Sequence, residues 1–244
     1  MKMPEPSPEL LAQLQGLLLP KTQLTVAPAA RPAATQLLSH LGGDPYFEAG
    51  EAWPVNPNTG QPLELIFQLV DEGGRLNWPF PAAVVQFYLD QYGEEGVYDD
   101  SDPAQYRFQV YPAIRPGQQA LVPRPAALPA IGCYSITAQP RQSLPDDDEL
   151  ELISPATKAL CRQLAGEKWR KVYNAAVAAV LGEAPDLGSW VGGYAQWLQG
   201  AYPTGEFLLQ FDSNEAFMWG DSGLLYFCYD PADPAAVSFQ LQSC

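Results

Sequence analysis

Two stretches of this chain follow the same plan, and that repetition constrains the fold more than any other feature of the sequence. Ser39-His40-Leu41-Gly42-Gly43-Asp44-Pro45-Tyr46-Phe47 and then Trp53-Pro54 open the first; Ser189-Trp190-Val191-Gly192-Gly193-Tyr194 and then Tyr202-Pro203 open the second. Each opening leads into an apolar run with one glutamine inside it, Leu65-Ile66-Phe67-Gln68-Leu69 and Phe207-Leu208-Leu209-Gln210-Phe211. Each then has a second apolar run ending in aspartate, Val84 to Asp90 and Leu224 to Asp230. The offset moves only from 150 residues (Ser39 to Ser189) to 142 (Gln68 to Gln210) and 140 (Asp90 to Asp230). Order and spacing together indicate a duplicated unit, a single domain over residues 1–244 with repeats at about 35–112 and 185–240.

Local patterns fill in the elements. Ser7-Pro8-Glu9 followed by Leu10, Leu11, Leu14, Leu17 and Leu18 predicts a short helix, capped by serine, with proline in its first turn and Pro20 beyond its end. Residues 22–26, 62–70 and 82–90 read as strands, and 134–138 as a further one. Tyr106 to Tyr111 alternates Tyr106, Phe108 and Val110 against Arg107, Gln109 and Tyr111, which predicts a sheet strand with one exposed face. Residues 112–130, with Pro112, Pro116, Pro123, Pro125 and Pro129, are expected to form little regular structure. The long helix is predicted at about 154–181, capped at Ser154-Pro155 and ended by Gly182, with a break near Gly166; it carries the chain from one repeat to the next.

The inventory of reactive groups argues against an enzyme. His40 is the sole histidine, and its repeat counterpart is Trp190, so it makes a poor general base. The Gly-Gly pairs open no Gly-x-Gly-x-x-Gly turn, and no Gly-x-Ser-x-Gly elbow or phosphate-cradling loop is present. Cys133, Cys161, Cys228 and Cys244 are scattered without metal-ligand spacing and read as free thiols. Tyr98-Asp99-Asp100-Ser101-Asp102 lacks the glycine and distal glutamate of a calcium loop and reads as acidic surface. Trp219-Gly220-Asp221-Ser222-Gly223 reads as a tight turn stabilised by its aspartate. No catalytic residue, metal or cofactor is expected.

Gln68 and Gln210 stand out because a buried amide must be hydrogen-bonded. Two readings compete: satisfaction by backbone near a pseudo-symmetry axis, which is the expectation, or lining a cleft together with Trp219 and Asp221 that grips an extended peptide.

These motifs resemble the YwqG-like family of bacterial proteins over roughly residues 35–240: Gly42-Gly43-x-Pro45, Trp53-Pro54, Gly60-x-Pro62-Leu63, Phe67-Gln68, Val85-Gln86-Phe87-Tyr88, Val97-Tyr98, Phe108-x-Val110-Tyr111-Pro112, Gly192-Gly193-Tyr194, Leu208-Leu209-Gln210-Phe211-Asp212 and Met218-Trp219-Gly220-Asp221-Ser222-Gly223. The resemblance implies an α+β fold of two similar antiparallel-rich sheet halves related by a pseudo-dyad, with flanking helices, and no known enzyme activity. Distant relatives resemble the programmed-cell-death-protein-2 group, which escorts a ribosomal protein, and some bacterial members are thought to neutralise toxins.

Charge then directs the functional expectation. With 28 acidic and 13 basic side chains the net charge is −15, which repels nucleic acid and attracts basic partners. No run is long and apolar enough for a membrane helix, and the start lacks a signal-peptide layout, so a cytoplasmic location and no membrane partner are expected. The expected function is a non-catalytic, acidic protein-binding module. Its most concrete form is an immunity-type protein that masks a basic toxin through Asp44, Glu48, Glu51, Glu94, Glu95, Asp99, Asp100 and Asp102, with a further acidic run from Asp146 to Glu151. The alternatives are a chaperone-like holder of a basic peptide or ribosomal protein, and a carboxylate-based enzyme.

Overall fold

The apolar runs around the two glutamines are strands in a computed structural model of the chain, which describes residues 6–33, 36–91, 102–115, 117, 119–182, 187–200 and 204–243. In chain order the elements are α1 (Pro8–Gln15), β1 (Leu19–Pro28), β2 (His40–Leu41), β3 (Tyr46–Glu48), β4 (Glu64–Val70), β5 (Val84–Leu89), β6 (Tyr106–Tyr111), β7 (Gln119–Leu121) and β8 (Tyr134–Ser143). Then come α2 (Leu150–Ile153), α3 (Pro155–Ala165), a 3-10 turn (Gly166–Lys168), α4 (Trp169–Leu181), β9 (Ser189–Gly192), β10 (Glu206–Asp212), β11 (Leu224–Asp230) and β12 (Asp233–Gln242).

Ten of these strands form one sheet, ordered β12-β11-β10-β9-β1-β8-β2-β4-β5-β6, with antiparallel pairing throughout. The halves expected as two sheets are therefore continuous. The seam is the β1–β8 ladder, which runs from Leu19 opposite Ser143 to Pro28 opposite Tyr134. On either side of it the strand sequence runs in mirrored order, β2-β4-β5-β6 and β9-β10-β11-β12. Irregular register recurs too, between Leu65 and Phe67 in β4 and between Phe207 and Leu209 in β10.

The core shows how this sheet bends. Phe67 of β4 packs on Phe211 of β10 (ring centroids 4.9 Å), although five strand positions separate them in the ladder. Phe87 of β5 meets Phe239 of β12 (5.1 Å), Phe108 of β6 meets Phe227 of β11 (5.6 Å), and Tyr106 meets Phe239 across the two edge strands (4.6 Å). Such contacts require the sheet to curl back on itself, nearly closing a barrel around one apolar interior. Burying aromatic rings from both halves in a single cluster supplies the main hydrophobic driving force. In β6, Tyr106, Phe108 and Val110 pack on this interior; the opposite face, expected to be exposed, is so only at Arg107, because Gln109 is half-buried and Tyr111 is buried beside a small pocket.

The helices cover the outer side beside β8. Leu10 and Leu14 of α1 join Cys161 of α3, Trp169, Val172, Tyr173, Ala176 and Val177 of α4, and Leu144 and Leu150 in a second apolar cluster. Ser7 Oγ caps α1 by accepting the Leu10 amide (3.2 Å). Between α3 and α4 the chain breaks at Gly166, whose φ of +55° only glycine adopts freely. The proline-rich stretch differs from expectation in one place. Gln119–Leu121, which contains no proline, pairs with β3 as a two-stranded ribbon. Nearby, Arg124 forms a bidentate ion pair with Glu64 of β4, and its Nη1 donates to the Leu128 carbonyl (3.2 Å). That pair holds the loop against the sheet.

Candidate functional site

The repeated glutamines serve the fold. Gln68 Oε1 accepts from the Tyr46 amide (2.7 Å) and Gln86 Nε2 (2.8 Å), and Gln68 Nε2 donates to the Leu38 carbonyl (2.9 Å). Gln210 Oε1 accepts from the Gln196 amide (2.9 Å), and its Nε2 donates to the Gly188 carbonyl (2.8 Å). The serines opening each motif behave alike: Ser39 Oγ accepts the Val70 amide (2.8 Å) and Ser189 Oγ the Asp212 amide (2.9 Å). Each glutamine thus clips the segment after a Gly-Gly pair, and the backbone before it, onto the outer face of its strand.

Gln68, Gln210 and Trp219 are all 0% exposed, whereas Asp221 is exposed at the surface. The turn containing Asp221 is closed by the Gly223 amide donating to the Trp219 carbonyl (2.6 Å). Ser213 braces it, with Oγ accepting the Trp219 amide (3.0 Å) and donating to the Gly223 carbonyl (2.8 Å). A neighbouring serine, rather than the aspartate, supplies the side-chain bonds.

Among the described residues, Asp44, Glu48, Glu51 and Asp102 each have partners within the protein. Asp44 pairs with Arg31 (2.5 Å) and Glu48 with Arg115 (3.1 Å). Glu51 accepts the Glu48 amide (2.6 Å) and the Tyr111 hydroxyl (2.9 Å), and lines a pocket of about 170 Å³ with Gln86, Tyr88, Arg107 and Gln109. Asp102 caps its own turn through the Ala104 amide (2.9 Å). Glu94, Glu95, Asp99 and Asp100 lie outside the described residues. His40 is buried, its Nδ1 accepts the Gly43 amide (3.2 Å), and desolvation drives its pKa down to about 4, so the ring is neutral near pH 7.

The larger concavity lies elsewhere, a groove of about 660 Å³ between the outer face of β1, β8 and β9 and helix α4. Lys21, Gln23 and Arg141 project from the sheet wall, Asp146 and Asp147 from the loop after β8, and Tyr173 and Asn174 from α4. Trp190 and Tyr194 contribute the aromatic side, with Lys21 Nζ 3.7 Å from the centroid of the Trp190 ring. The walls are fixed from behind. Trp190 Nε1 donates to the Tyr194 carbonyl (3.1 Å), the Tyr194 amide to Ser143 Oγ (3.2 Å), and the Tyr173 hydroxyl to the Pro145 carbonyl (2.6 Å). Gly193 permits this packing. It sits at φ +68°, and a Cβ there would fall 2.3 Å from Ser143 Oγ.

Electrostatics set the acidic corner of the groove apart. The carboxylate oxygens of Asp146, Asp147 and Asp148 lie within 4.8 Å of one another. Arg170 sits beside them, pairing with Asp147 (3.4 Å) and with Asp148. Desolvation, the dominant cause, raises the pKa of Asp146 and of Asp147, and it does the same for Glu149, whose Oε1 accepts from Trp197 Nε1 (3.0 Å). Half-buried carboxylates held above their ordinary range carry negative charge that an added cation would stabilise.

The sequence matches the family described as Domain of unknown function (DUF1963) over residues 39–243. The chain belongs to the DUF1963 family. A search of curated proteins finds no match. The DUF1963 match contains Arg141, Asp146, Asp147 and Trp190 but starts after β1, so Lys21 and Gln23 join the groove from outside the matched stretch. Among the described residues no helix is long and apolar enough to cross a membrane.

Sequence reasoning counted Asp146 to Glu151 among the acidic runs that would meet a basic partner, and missed Lys21, Arg141, Trp190 and Tyr194 as residues of the same groove. The available signal was faint: two of the 13 basic residues sit within the segments that become β1 and β8.

Proposed function

We propose that this protein is a non-catalytic binding module whose groove receives a basic segment of another protein. The observation that carries the reading is the pair of half-buried carboxylates, Asp146 and Asp147, on the wall of a groove of about 660 Å³. Arg170 pairs there with Asp147 and Asp148, two of three neighbouring aspartates, so an incoming lysine or arginine gains charge-assisted hydrogen bonds. The net charge of −15 adds long-range attraction for such a segment. Binding is favoured over catalysis because His40 is buried and neutral. Cys161 and Cys228 are also buried, with thiols pushed up to about 11 and about 12.

A groove that holds a chain segment fits a chaperone-like escort better than a flat acidic mask. Masking of a basic toxin is the second reading. It draws on the overall charge, but Asp44, Glu48 and Glu51 already have partners inside the protein. The YwqG-like resemblance and an origin by internal duplication belong to the same proposal. The matching glutamine and serine bonds support a duplicated scaffold, and the helices and groove lie where the halves differ.

Isothermal titration with a lysine- and arginine-rich peptide tests the function. Asp146→Asn combined with Asp147→Asn should abolish binding, since asparagine keeps the Oδ1 that accepts the Asp148 amide (3.0 Å) while removing the charge. Absence of binding, or binding indifferent to the double substitution, would sink the proposal.

A further inference from the structure

The groove between the sheet and α4 has two unlike ends, and the helix runs from one to the other. Arg170, in the first turn of α4, pairs with Asp147 (3.4 Å) and with Asp148, and the Tyr173 hydroxyl donates to the Pro145 carbonyl (2.6 Å). The acidic corner therefore lies beside the start of the helix. Asp146 forms no ion pair there among the described residues. Further along, the groove is lined by Val177, by Leu181 at the end of α4, and by Leu187 shortly before β9. Val177 and Leu181 belong to the apolar cluster beneath the helices. Leu187 is 45% exposed and joins none of the apolar clusters of the described residues. The cations of the sheet wall have contacts of their own. Lys21 lies over the Trp190 ring, and Arg141 donates to Gln139 Oε1 (3.0 Å) and the Pro140 carbonyl (3.3 Å). A ligand thus meets carboxylate at one end of the groove and aliphatic surface at the other. Such a leucine gains from an added apolar side chain, and a half-buried carboxylate from a cation.

The two ends are spaced for neighbouring side chains of one peptide. Asn174, whose side chain hydrogen-bonds Asp147, and Leu181 lie two turns of α4 apart, about 10 Å along its axis. An extended chain puts side chains i and i+2 on one face about 7 Å apart. The long stem of a lysine or arginine makes up the difference. We infer that the groove recognises a basic residue together with a large aliphatic residue two positions away in an extended segment. The basic side chain is received by Asp146 and Asp147, and the aliphatic one packs against Leu181 and Leu187. The volume, about 660 Å³, suits a few residues of chain, within the range typical of clefts that enclose a small ligand. This inference rests on the proposed binding of basic segments and adds the requirement for an aliphatic neighbour.

The test titrates two peptides with capped ends into the full chain, Leu-Ala-Arg-Ala-Leu and Ser-Ala-Arg-Ala-Ser, whose symmetry serves either chain direction. The leucine peptide should bind about ten-fold more tightly, the gain from burying most of one leucine side chain at the helix end. Leu187→Ser, at an exposed position that does not threaten folding, should erase that preference. Asp146→Asn with Asp147→Asn should weaken both peptides. Leu152→Ser, which removes a 77% exposed leucine of α2 outside the groove, should leave the preference intact. Equal affinity for the two peptides would overturn the inference while leaving basic-segment binding in place. A preference that survives Leu187→Ser, or that Leu152→Ser also removes, would overturn it as well. Failure of both peptides to bind would overturn this inference and the proposed function together.

Discussion

Replacing the repeated glutamines by leucine should destabilise the protein unequally, Gln68→Leu more than Gln210→Leu. Gln68 satisfies three groups, the Tyr46 amide, Gln86 Nε2 and the Leu38 carbonyl, while Gln210 satisfies two, the Gln196 amide and the Gly188 carbonyl. Both side chains are fully buried, and leucine of similar size fills the space without supplying a donor or acceptor. Each orphaned buried group costs on the order of 1 kcal/mol or more, so Gln210→Leu should lose about 2 kcal/mol and Gln68→Leu about 3–4 kcal/mol. His40 adds to the first figure, because its Nε2 lies 3.2 Å from Gln68 Nε2. Urea unfolding followed by tryptophan fluorescence reads the difference as a shift in midpoint at constant slope. Peptide affinity measured under native conditions should stay unchanged in both variants. A variant that keeps its stability to within about 0.5 kcal/mol, the scatter of ordinary surface substitutions, yet loses peptide binding would refute the reasoning and return these glutamines to a ligand site.

Three further outcomes follow from the same structure. Arg124→Leu should cost about 3–5 kcal/mol in urea unfolding, because it removes the ion pair of Glu64, whose side chain is 0% exposed, whereas Glu64→Leu with Arg124→Leu should come close to wild type. A single substitution as mild as the double would show that the pair is not the anchor of the loop. His40 has a folded pKa of about 4 against 6.5 when unfolded, so its contribution is intact above pH 6.5 and is lost as the pH falls through 4. That loss is worth about 3 kcal/mol, and denaturation at pH 7 and pH 4 should show it removed in His40→Gln; an unchanged pH slope would contradict it. Asp146, Asp147 and Glu149 have pKa values raised by burial, and a bound cation favours their charged forms. Peptide affinity should therefore fall as the pH drops through their raised values, sooner than for ordinary carboxylates, with proton release on binding measurable by titration in buffers of different ionisation enthalpy.

The fold was legible where a residue's role depends on its neighbours in sequence. The Ser7 cap and the break at Gly166 are local properties, and each takes its expected form. The glutamines were legible as well, since an amide inside an apolar strand must be bonded somewhere. Continuity of the sheet was not, because it depends on the pairing of β1 with β8 across more than 100 residues of intervening chain. The same pairing hides the candidate site: Lys21 and Arg141 become neighbours only in the ladder, and Trp190 joins them from β9. The ion pairs of two acids are hidden for a related reason. Arg31 and Arg115 lie far enough from Asp44 and Glu48 in sequence that only the folded chain shows these acids already paired.

The central claim is that the groove between the sheet and α4 is a receptor for basic chain segments. Calorimetric titration of a lysine- and arginine-rich peptide into wild type and into Asp146→Asn/Asp147→Asn tests it most directly. Saturable one-to-one binding that weakens with salt and disappears in the double variant is the predicted result. Equal binding to both proteins, or none to wild type, would contradict it.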